Sequence, residues 1–86
     1  MNKIIEIKVL EDFMIWMKFN DGSSKTIDFK PFIGKGISAE LSNKQYFNKV
    51  SIESGGGLEW PNGYDFCPNY LKDFISSGKS EEENYA

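Results

Sequence analysis

The residues of this 86-residue chain best suited to chemistry are concentrated between Ser54 and Pro68, in the segment SGGGLEWPNGYDFCP. Its run of three consecutive glycines allows a backbone to approach a ligand closely, and consecutive N–H groups can bind an anion. The candidate binding residues of this segment are Gly56, Gly57, Glu59, Trp60, Asn62 and Asp65. An alternative interpretation is a glycine bulge and a tight turn that join short strands, with Trp60 as a core anchor.

Two carboxylates and one thiol in this segment suggest more specific chemistry. Glu59 and Asp65 flank the turn, and a pair of facing carboxylates could serve a hydrolase or bind a divalent cation. A period of two instead places both on the solvent face, opposite Trp60. Cys67 precedes a predicted helix start, where a thiol pKa can be lowered; otherwise it is a small buried residue or a helix cap. An enzyme that uses Glu59, Asp65 or Cys67 is the weakest of three hypotheses.

The composition excludes several kinds of active site. All 10 basic residues are Lys, set against 13 acidic residues, and the chain has neither His nor Arg. The absence of His excludes Ser-His-Asp triads, Cys-His pairs and histidine metal ligands. The absence of Arg removes bidentate carboxylate and phosphate clamps. A single Cys excludes an internal disulfide or a cysteine-based zinc site. We therefore expect no catalytic residue, no bound metal and no cofactor.

The charge pattern and hydropathy indicate location and partners. No apolar run approaches the roughly 20 residues needed to span a bilayer. The first ten residues carry Lys3, Glu6 and Lys8, which is not typical of a signal peptide. We expect a cytoplasmic chain with no membrane partner. Residues 1–50 hold eight Lys and six acidic residues, a net charge of +2, so nucleic-acid binding by this chain alone is not expected.

Alternating apolar and polar residues predict three antiparallel strands, a meander, in the first thirty residues. Ile5, Ile7 and Val9 predict a half-buried strand over about residues 3–10. The second strand has one face of Phe13, Ile15, Met17 and Phe19 and another of Met14, Trp16 and Lys18. Asn20-Asp21-Gly22 predicts a hairpin turn, because such turns need residues that tolerate positive φ. The third strand places Lys25, Ile27 and Phe29 on one face.

The remaining chain predicts short helices and strands. Ser42 and Gln45 match a capping box before a helix of about residues 43–48. Alternation predicts short strands around 50–53 and 58–60. Pro68 suits the first position of a helix over about 68–76, with an apolar stripe of Leu71, Phe74 and Ile75. The predicted fold is α+β, one domain of residues 1–78 with this helix packed on the sheet, followed by an acidic disordered tail, 79–86.

Trp16 and Met14 lie on the strand face opposite the main apolar set. They either form a partner-facing surface or are covered by the C-terminal helix, although one helix cannot cover both faces of a five-stranded sheet. The leading hypothesis is a non-enzymatic interaction module that binds a small protein partner, or itself, through a surface that includes Trp16 or Trp60. The alternative is a small-molecule or anion-binding domain that uses the Gly55–Asp65 loop.

The stretch from Gly56 to Asp65, followed by the pair Cys67-Pro68, resembles a small bacterial domain of unknown function, DUF2442. The similarity extends from about Lys3 to Phe74. It implies a compact cytoplasmic α+β domain and supplies no established catalytic residues. Some relatives carry the domain in front of a helix-turn-helix, and others are encoded beside a second small protein in a toxin–antitoxin-like arrangement. With no room for a helix-turn-helix after Gly78, DNA binding is not expected to transfer.

Overall fold

Six short strands and two short α-helices make up most of the regular structure in the computed structural model, which describes residues 2–34 and 36–74. The strands are β1 (Ile4–Val9), β2 (Met14–Phe19), β3 (Ser24–Asp28), β4 (Ser51–Ile52), β5 (Leu58–Glu59) and β6 (Asp65–Phe66). The helices are α1 (Lys44–Phe47) and α2 (Pro68–Asp73), and two 3-10 segments span Lys30–Phe32 and Gly36–Ser42. The α+β class and the N-terminal meander are confirmed. Ile75 and the predicted acidic tail lie outside the described residues.

The strands form two antiparallel sheets and not the single five-stranded sheet that was expected. One sheet has the order β1-β2-β3 and the other β4-β5-β6. They are joined at the edge of β1, where the Ile4 N–H donates to the Gly56 carbonyl over 2.8 Å. The strands after residue 50 pair over only two residues each, so they extend the core without extending the first sheet.

A β-bulge reverses the expected alternation at the start of β1. Ile4 pairs with Phe19, but Glu6 pairs with Lys18, so that Ile5 is an extra residue in the ladder. Ile4 is consequently buried (3% exposed), whereas Ile5 is 56% exposed. The prediction that Ile5 shares the buried face of Ile7 and Val9 is wrong, because a bulge moves the side chains before it to the other face.

The β1–β2 turn contains two consecutive non-glycine residues with positive φ, Asp12 at 60° and Phe13 at 62°. Such angles suit a tight hairpin turn, but they cost a bulky residue of the order of 1–3 kcal/mol. The Phe13 ring packs edge-on against Phe47 at 5.2 Å, and the Phe13 carbonyl accepts a hydrogen bond from the Phe29 N–H. Core packing therefore holds Phe13 in its unfavourable conformation.

The predicted hairpin at Asn20-Asp21-Gly22 is confirmed as a three-residue turn. The Gly22 N–H donates to the Phe19 carbonyl over 2.9 Å, and Gly22 adopts a φ of +91° that L side chains avoid. The Asp21 carboxylate accepts hydrogen bonds from the Lys72 ammonium and from Ser23. These bonds, led by the one from Lys72, hold the pKa of Asp21 well below its usual range and tie the turn to α2.

The N-cap of α1 is one residue later than predicted. The Asn43 side chain accepts hydrogen bonds from the backbone N–H groups of Gln45 and Tyr46, whereas Ser42 donates its hydroxyl to the Ala39 carbonyl. The predicted Ser42–Gln45 capping box is therefore wrong. Asn ranks with Ser as an N-cap, so the sequence alone does not separate the two residues. The cap directs the Phe47 side chain into the core.

Aromatic rings fill much of the core between the two sheets. Phe29 is central, because its ring lies 5.2–6.2 Å from the rings of four others, which are Phe32, Phe47, Trp60 and Phe66. Aliphatic side chains from the inner face of the meander and Leu71 of α2 complete the cluster. Rings bury much area per ordered residue, which suits a chain of this size.

Lys25 ends α2. Its ammonium donates to the carbonyls of Leu71 (2.9 Å), Lys72 (3.0 Å) and Phe74 (2.6 Å), at the end of the helix, where carbonyls lack the i+4 N–H partner of the helix interior. A cation there also suits the helix dipole. The helix accordingly ends at Asp73, earlier than the predicted residue 76. The expected placement of Lys25 on the inner face with Ile27 and Phe29 is confirmed.

Replacing Lys25 with Met should lower the free energy of unfolding by about 2 kcal/mol, because three carbonyls at a partly buried site lose a charged donor. Urea unfolding followed by circular dichroism measures the loss. Lys18→Met is the matched control, because Lys18 is on β2 of the same sheet but on its opposite face. Its expected change in the free energy of unfolding is within about 0.5 kcal/mol. Equal losses in the two variants would contradict this role of Lys25.

Candidate functional site

The glycine triplet forms the turn between β4 and β5. The Gly56 N–H donates to the Glu53 carbonyl over 2.9 Å, and the Gly55 N–H donates to the Glu53 carboxylate over 2.5 Å. These two amide groups already have acceptors from the chain itself, and the carboxylate of Glu53 lies where a bound anion was predicted. Binding of a ligand by the Gly55–Asp65 loop stays a prediction, and these contacts favour the interpretation as a turn.

Gly56 and Gly57 are buried because neighbouring chain segments approach them closely. A Cβ on Gly57 would overlap the Phe66 carbonyl oxygen and lie 3.0 Å from Cδ of Pro68. A Cβ on Gly56 would lie 2.7 Å from Cβ of Lys3, and Gly56 also has a φ of +92°. The two glycines therefore allow the second sheet to pack against β1 and against the start of α2.

Trp60 is a core residue, 2% exposed. Its indole Nε1–H donates to the Phe47 carbonyl over 2.9 Å, and its ring lies 5.9 Å from that of Tyr64. The interpretation of Trp60 as a core anchor agrees with this burial, and Trp60 does not offer its ring to a partner. Burial also raises the pKa of Tyr64, with a smaller contribution from Tyr70.

Glu59 and Asp65 are directly opposite each other in the β5–β6 ladder, and both are exposed. The two carboxylates therefore face each other and also lie on the solvent side. The pairing and the exposure, which were considered as alternatives, occur together. Like charges opposite each other destabilise a strand pair. Among residues 2–34 and 36–74, no group of three or more His, Cys, Asp or Glu side chains could hold a metal ion.

Asn62 holds the turn between β5 and β6. Its side-chain oxygen accepts from the Tyr64 N–H over 3.0 Å, and its side-chain nitrogen donates to the Glu40 carboxylate over 2.9 Å. The turn is closed by the Trp60 N–H, which donates to the Tyr64 carbonyl. These contacts give Asn62 a structural role within the chain.

Cys67 is the N-cap residue of α2. Its position before Pro68 at a helix start is confirmed, but its side chain is exposed and makes no capping hydrogen bond. The interpretation as a small buried residue is wrong. Asp65 and Cys67 both lie on the outward side of β6, on either side of the buried Phe66. No hydrogen bond between described residues joins Cys67 to Glu59 or Asp65.

The outward side of the meander is the most extensive candidate surface. We name it the outer face, and it consists of Glu6, Lys8, Leu10, Met14, Trp16, Lys18, Ser24, Thr26 and Asp28, which alternate with inward residues in the strand registers. Leu10 is 45% exposed, and Met14 and Trp16 are half-buried. The Lys8 ammonium lies 5.4 Å from the centroid of the Trp16 ring, a cation–π distance.

Helix α2 does not cover Trp16. Its Leu71 is fully buried in the cluster that contains Ile15 and Met17, which point to the other side of β2. The interpretation that the C-terminal helix covers Trp16 and Met14 is therefore wrong for the described part of the helix. Sequence reasoning also missed Leu10, although its spacing from Glu6 and Lys8 by steps of two places it on this face.

A depression of about 430 Å³ adjoins the outer face at the strained β1–β2 turn. It is lined by Val9, Leu10, Glu11, Asp12, Phe13, Lys44, Phe47 and Asn48. Leu10 belongs to both surfaces. No sequence signal indicated this depression, because its two walls come from segments more than thirty residues apart.

Comparison with known proteins gives one match. A family model described as "Protein of unknown function (DUF2442)" matches residues 4–77. No curated protein and no solved structure matches the chain. No helix in the described part of the chain is long and apolar enough to cross a membrane.

Proposed function

This chain belongs to the DUF2442 family, whose function is unknown, and we propose that it is a cytoplasmic, non-enzymatic module that binds a protein partner through the outer face. The observation that carries the proposal is the apolar strip of Leu10, Met14 and Trp16, which the described part of α2 does not cover, on a sheet whose other face forms the core. A half-exposed Trp in such a strip is typical of the anchor residues of interfaces.

The residue types support a binding role over catalysis. The chain has no His and no Arg, so the usual general bases and anion clamps are missing. Its candidate nucleophile, Cys67, is exposed, and the chain has no His to activate it. Trp60, Asn62 and the glycines make contacts that hold the fold together, which supports a structural role for this loop over an active-site role.

The charges of the outer face suggest the chemistry of the partner. Lys8 of β1 lies opposite Trp16, Lys18 follows Trp16 on β2 and lies opposite Glu6, and Asp28 at the rim is paired with Lys30 at 3.3 Å. A suitable partner is an amphipathic protein segment whose apolar side chain packs on Trp16 and whose acidic groups face the two lysines. Opposite charges at the rim of an interface increase the association rate more than the affinity.

Replacing Trp16 with Ser should reduce partner binding by at least about 30-fold, the range found for Trp anchors. A photoreactive amino acid at position 18 should capture the partner in cells as a complex of one defined mass. The complex should disappear with Trp16→Ser, because the anchor is lost, and persist with Tyr70→Ser, which alters an exposed aromatic residue on α2.

The photoreactive group placed at position 59, on the other sheet, serves as the control for location. Capture from position 59 with the same yield as from position 18 would contradict the proposed surface, as would a complex insensitive to Trp16→Ser. Thermal unfolding of each variant verifies that the fold is retained.

A further inference from the structure

The geometry points to a second contact, in which the free edge of β3 pairs antiparallel with β3 of a second copy of this chain, with Thr26 opposite Thr26. This inference goes beyond the proposed function, because it concerns the edge of the meander and not its outer face. It names a specific partner and a specific register.

The direction of the backbone groups follows from the β2–β3 ladder. The Phe19 N–H donates to the Ser23 carbonyl, and the Phe29 N–H donates to the Phe13 carbonyl. In an antiparallel pair, hydrogen-bonded positions alternate, so Lys25 and Ile27 use their backbone groups on β2. The backbone groups of the intervening residues Ser24, Thr26 and Asp28 therefore point away from β2.

The edge formed by these three residues is open. Within the described part of the chain, β2 is the only strand that pairs with β3, and no other backbone hydrogen bond is made by Ser24, Thr26 or Asp28. By contrast, the edge of β1 is partly used by the Gly56 carbonyl. An open edge is a template for another strand.

The charged side chains of β3, which could protect such an edge, are engaged within the described part of the chain. Natural edge strands often carry a lysine whose charge repels a second strand. The Lys25 ammonium instead points inward and binds the carbonyls at the end of α2. The side chains at the edge positions are two hydroxyls and one carboxylate, and the carboxylate of Asp28 is paired with Lys30.

The limits of the edge fix the register. Before β3, the Gly22 N–H is bound to the Phe19 carbonyl, and after it the Lys30 N–H is bound to the Asp28 carboxylate. Only a pairing centred on Thr26 uses all three open positions of both copies, because it places each Ser24 opposite the other copy's Asp28. Each of these pairs exchanges two backbone hydrogen bonds.

The side chains favour a second copy as the occupant. In this register each Ser24 hydroxyl lies opposite the Asp28 carboxylate of the other copy, and the two Thr26 side chains lie opposite each other at the centre. Such cross-strand pairs stabilise a sheet. No like charges are opposed. Because a five-residue strand pair buries little area, the dimer is expected to be weak and concentration-dependent. Pairing would also merge the two outer faces into one six-stranded surface.

Cysteine cross-linking tests the register. In a chain with Cys67→Ser, the variant Thr26→Cys should form a disulfide-linked dimer under mild oxidation, because facing residues of a hydrogen-bonded pair have Cα atoms about 5.5 Å apart. Ser24→Cys in the same background should not, because each Ser24 faces Asp28 and not itself. A failure of Thr26→Cys to link, or equal linking of Ser24→Cys, would overturn the register.

Hydrogen exchange on the unmodified chain gives an independent readout. The amides of Ser24, Thr26 and Asp28 should become protected as the protein concentration rises, while that of Tyr70 should not change. Thr26→Pro should abolish this protection at Ser24 and Asp28 without breaking the β2–β3 ladder, because its missing N–H points away from β2. Thr26→Val keeps the N–H and should keep the protection.

Protection that does not depend on concentration would overturn the inference, and so would a Thr26→Pro variant that still dimerises. The Trp16→Ser variant should dimerise like the parent chain. Loss of partner capture with intact dimerisation, or the reverse, therefore shows which of the two proposed contacts is wrong.

Discussion

Gly57→Ala is expected to be the most damaging of the glycine-to-alanine changes among the described residues, with a loss of about 3 kcal/mol or more in the free energy of unfolding. The added Cβ would overlap the Phe66 carbonyl oxygen and crowd Pro68. Neither the backbone of β6 nor the proline ring at the start of α2 can move without disturbing the core. In a chain of this size, whose total stability is only about 5–15 kcal/mol, such a loss leaves much of the protein unfolded.

The same triplet supplies the matched controls. Gly56→Ala should cost about 2 kcal/mol, because φ is positive there and the Cβ would lie 2.7 Å from Lys3. Gly55→Ala should change the stability by less than about 1 kcal/mol, because φ is not positive there and its closest neighbour is the flexible carboxylate of Glu53. Urea unfolding gives all three values, and any order other than Gly57, Gly56, Gly55 would argue against close backbone approach as the role of the motif.

Trp60→Ala should cost about 3–5 kcal/mol, the range for removing a large buried ring. The cavity would open among Phe29, Phe47 and Phe66, whose rings lie within about 6 Å of the indole. Trp60→Phe should recover part of the loss, because it restores a ring but removes the indole N–H, the shorter of the two hydrogen bonds to the Phe47 carbonyl; the other comes from the Val50 N–H at 3.3 Å.

Trp16→Ala is the control, since Trp16 is the other tryptophan of the chain and lies on the outer face. Its expected cost is about 1 kcal/mol, because a half-exposed ring leaves a smaller cavity. Unfolding followed by circular dichroism compares the variants without relying on tryptophan fluorescence. A cost for Trp16→Ala as large as that for Trp60→Ala would contradict the assignment of one ring to the core and the other to the surface.

Local pattern was sufficient to predict the meander. The alternation of Ile15, Met17 and Phe19 with Trp16 and Lys18 sets which side of β2 is buried, because side chains in a strand alternate strictly. The same logic placed Trp60 on the strand face opposite Glu59. It failed at Ile5, since a bulge is an extra residue in one strand relative to its partner. The sequence of one strand alone does not reveal that extra residue.

The candidate residues were predicted less completely than the fold. Gly56, Gly57 and Asn62 were predicted as candidate binding residues, and that role stays a prediction. The sequence did not separate a ligand loop from a tight turn, because both need glycines and polar side chains. The contacts of Glu53 with Gly55 and of Asn62 with Glu40 depend on how the hairpins close.

The sequence by itself determined the strand periods, the turn positions, the start of α2 and the absence of His and Arg, since each of these depends on residue type or on neighbours within a few positions. Only the tertiary structure decided which aromatic residues are accessible. Trp16 lies in β2 and Trp60 directly follows β5, yet Trp16 is half-buried on the outer face and Trp60 is buried between the two sheets. The burial of a side chain depends on contacts with segments that are distant in sequence. No local pattern predicts which segment covers which face of a sheet.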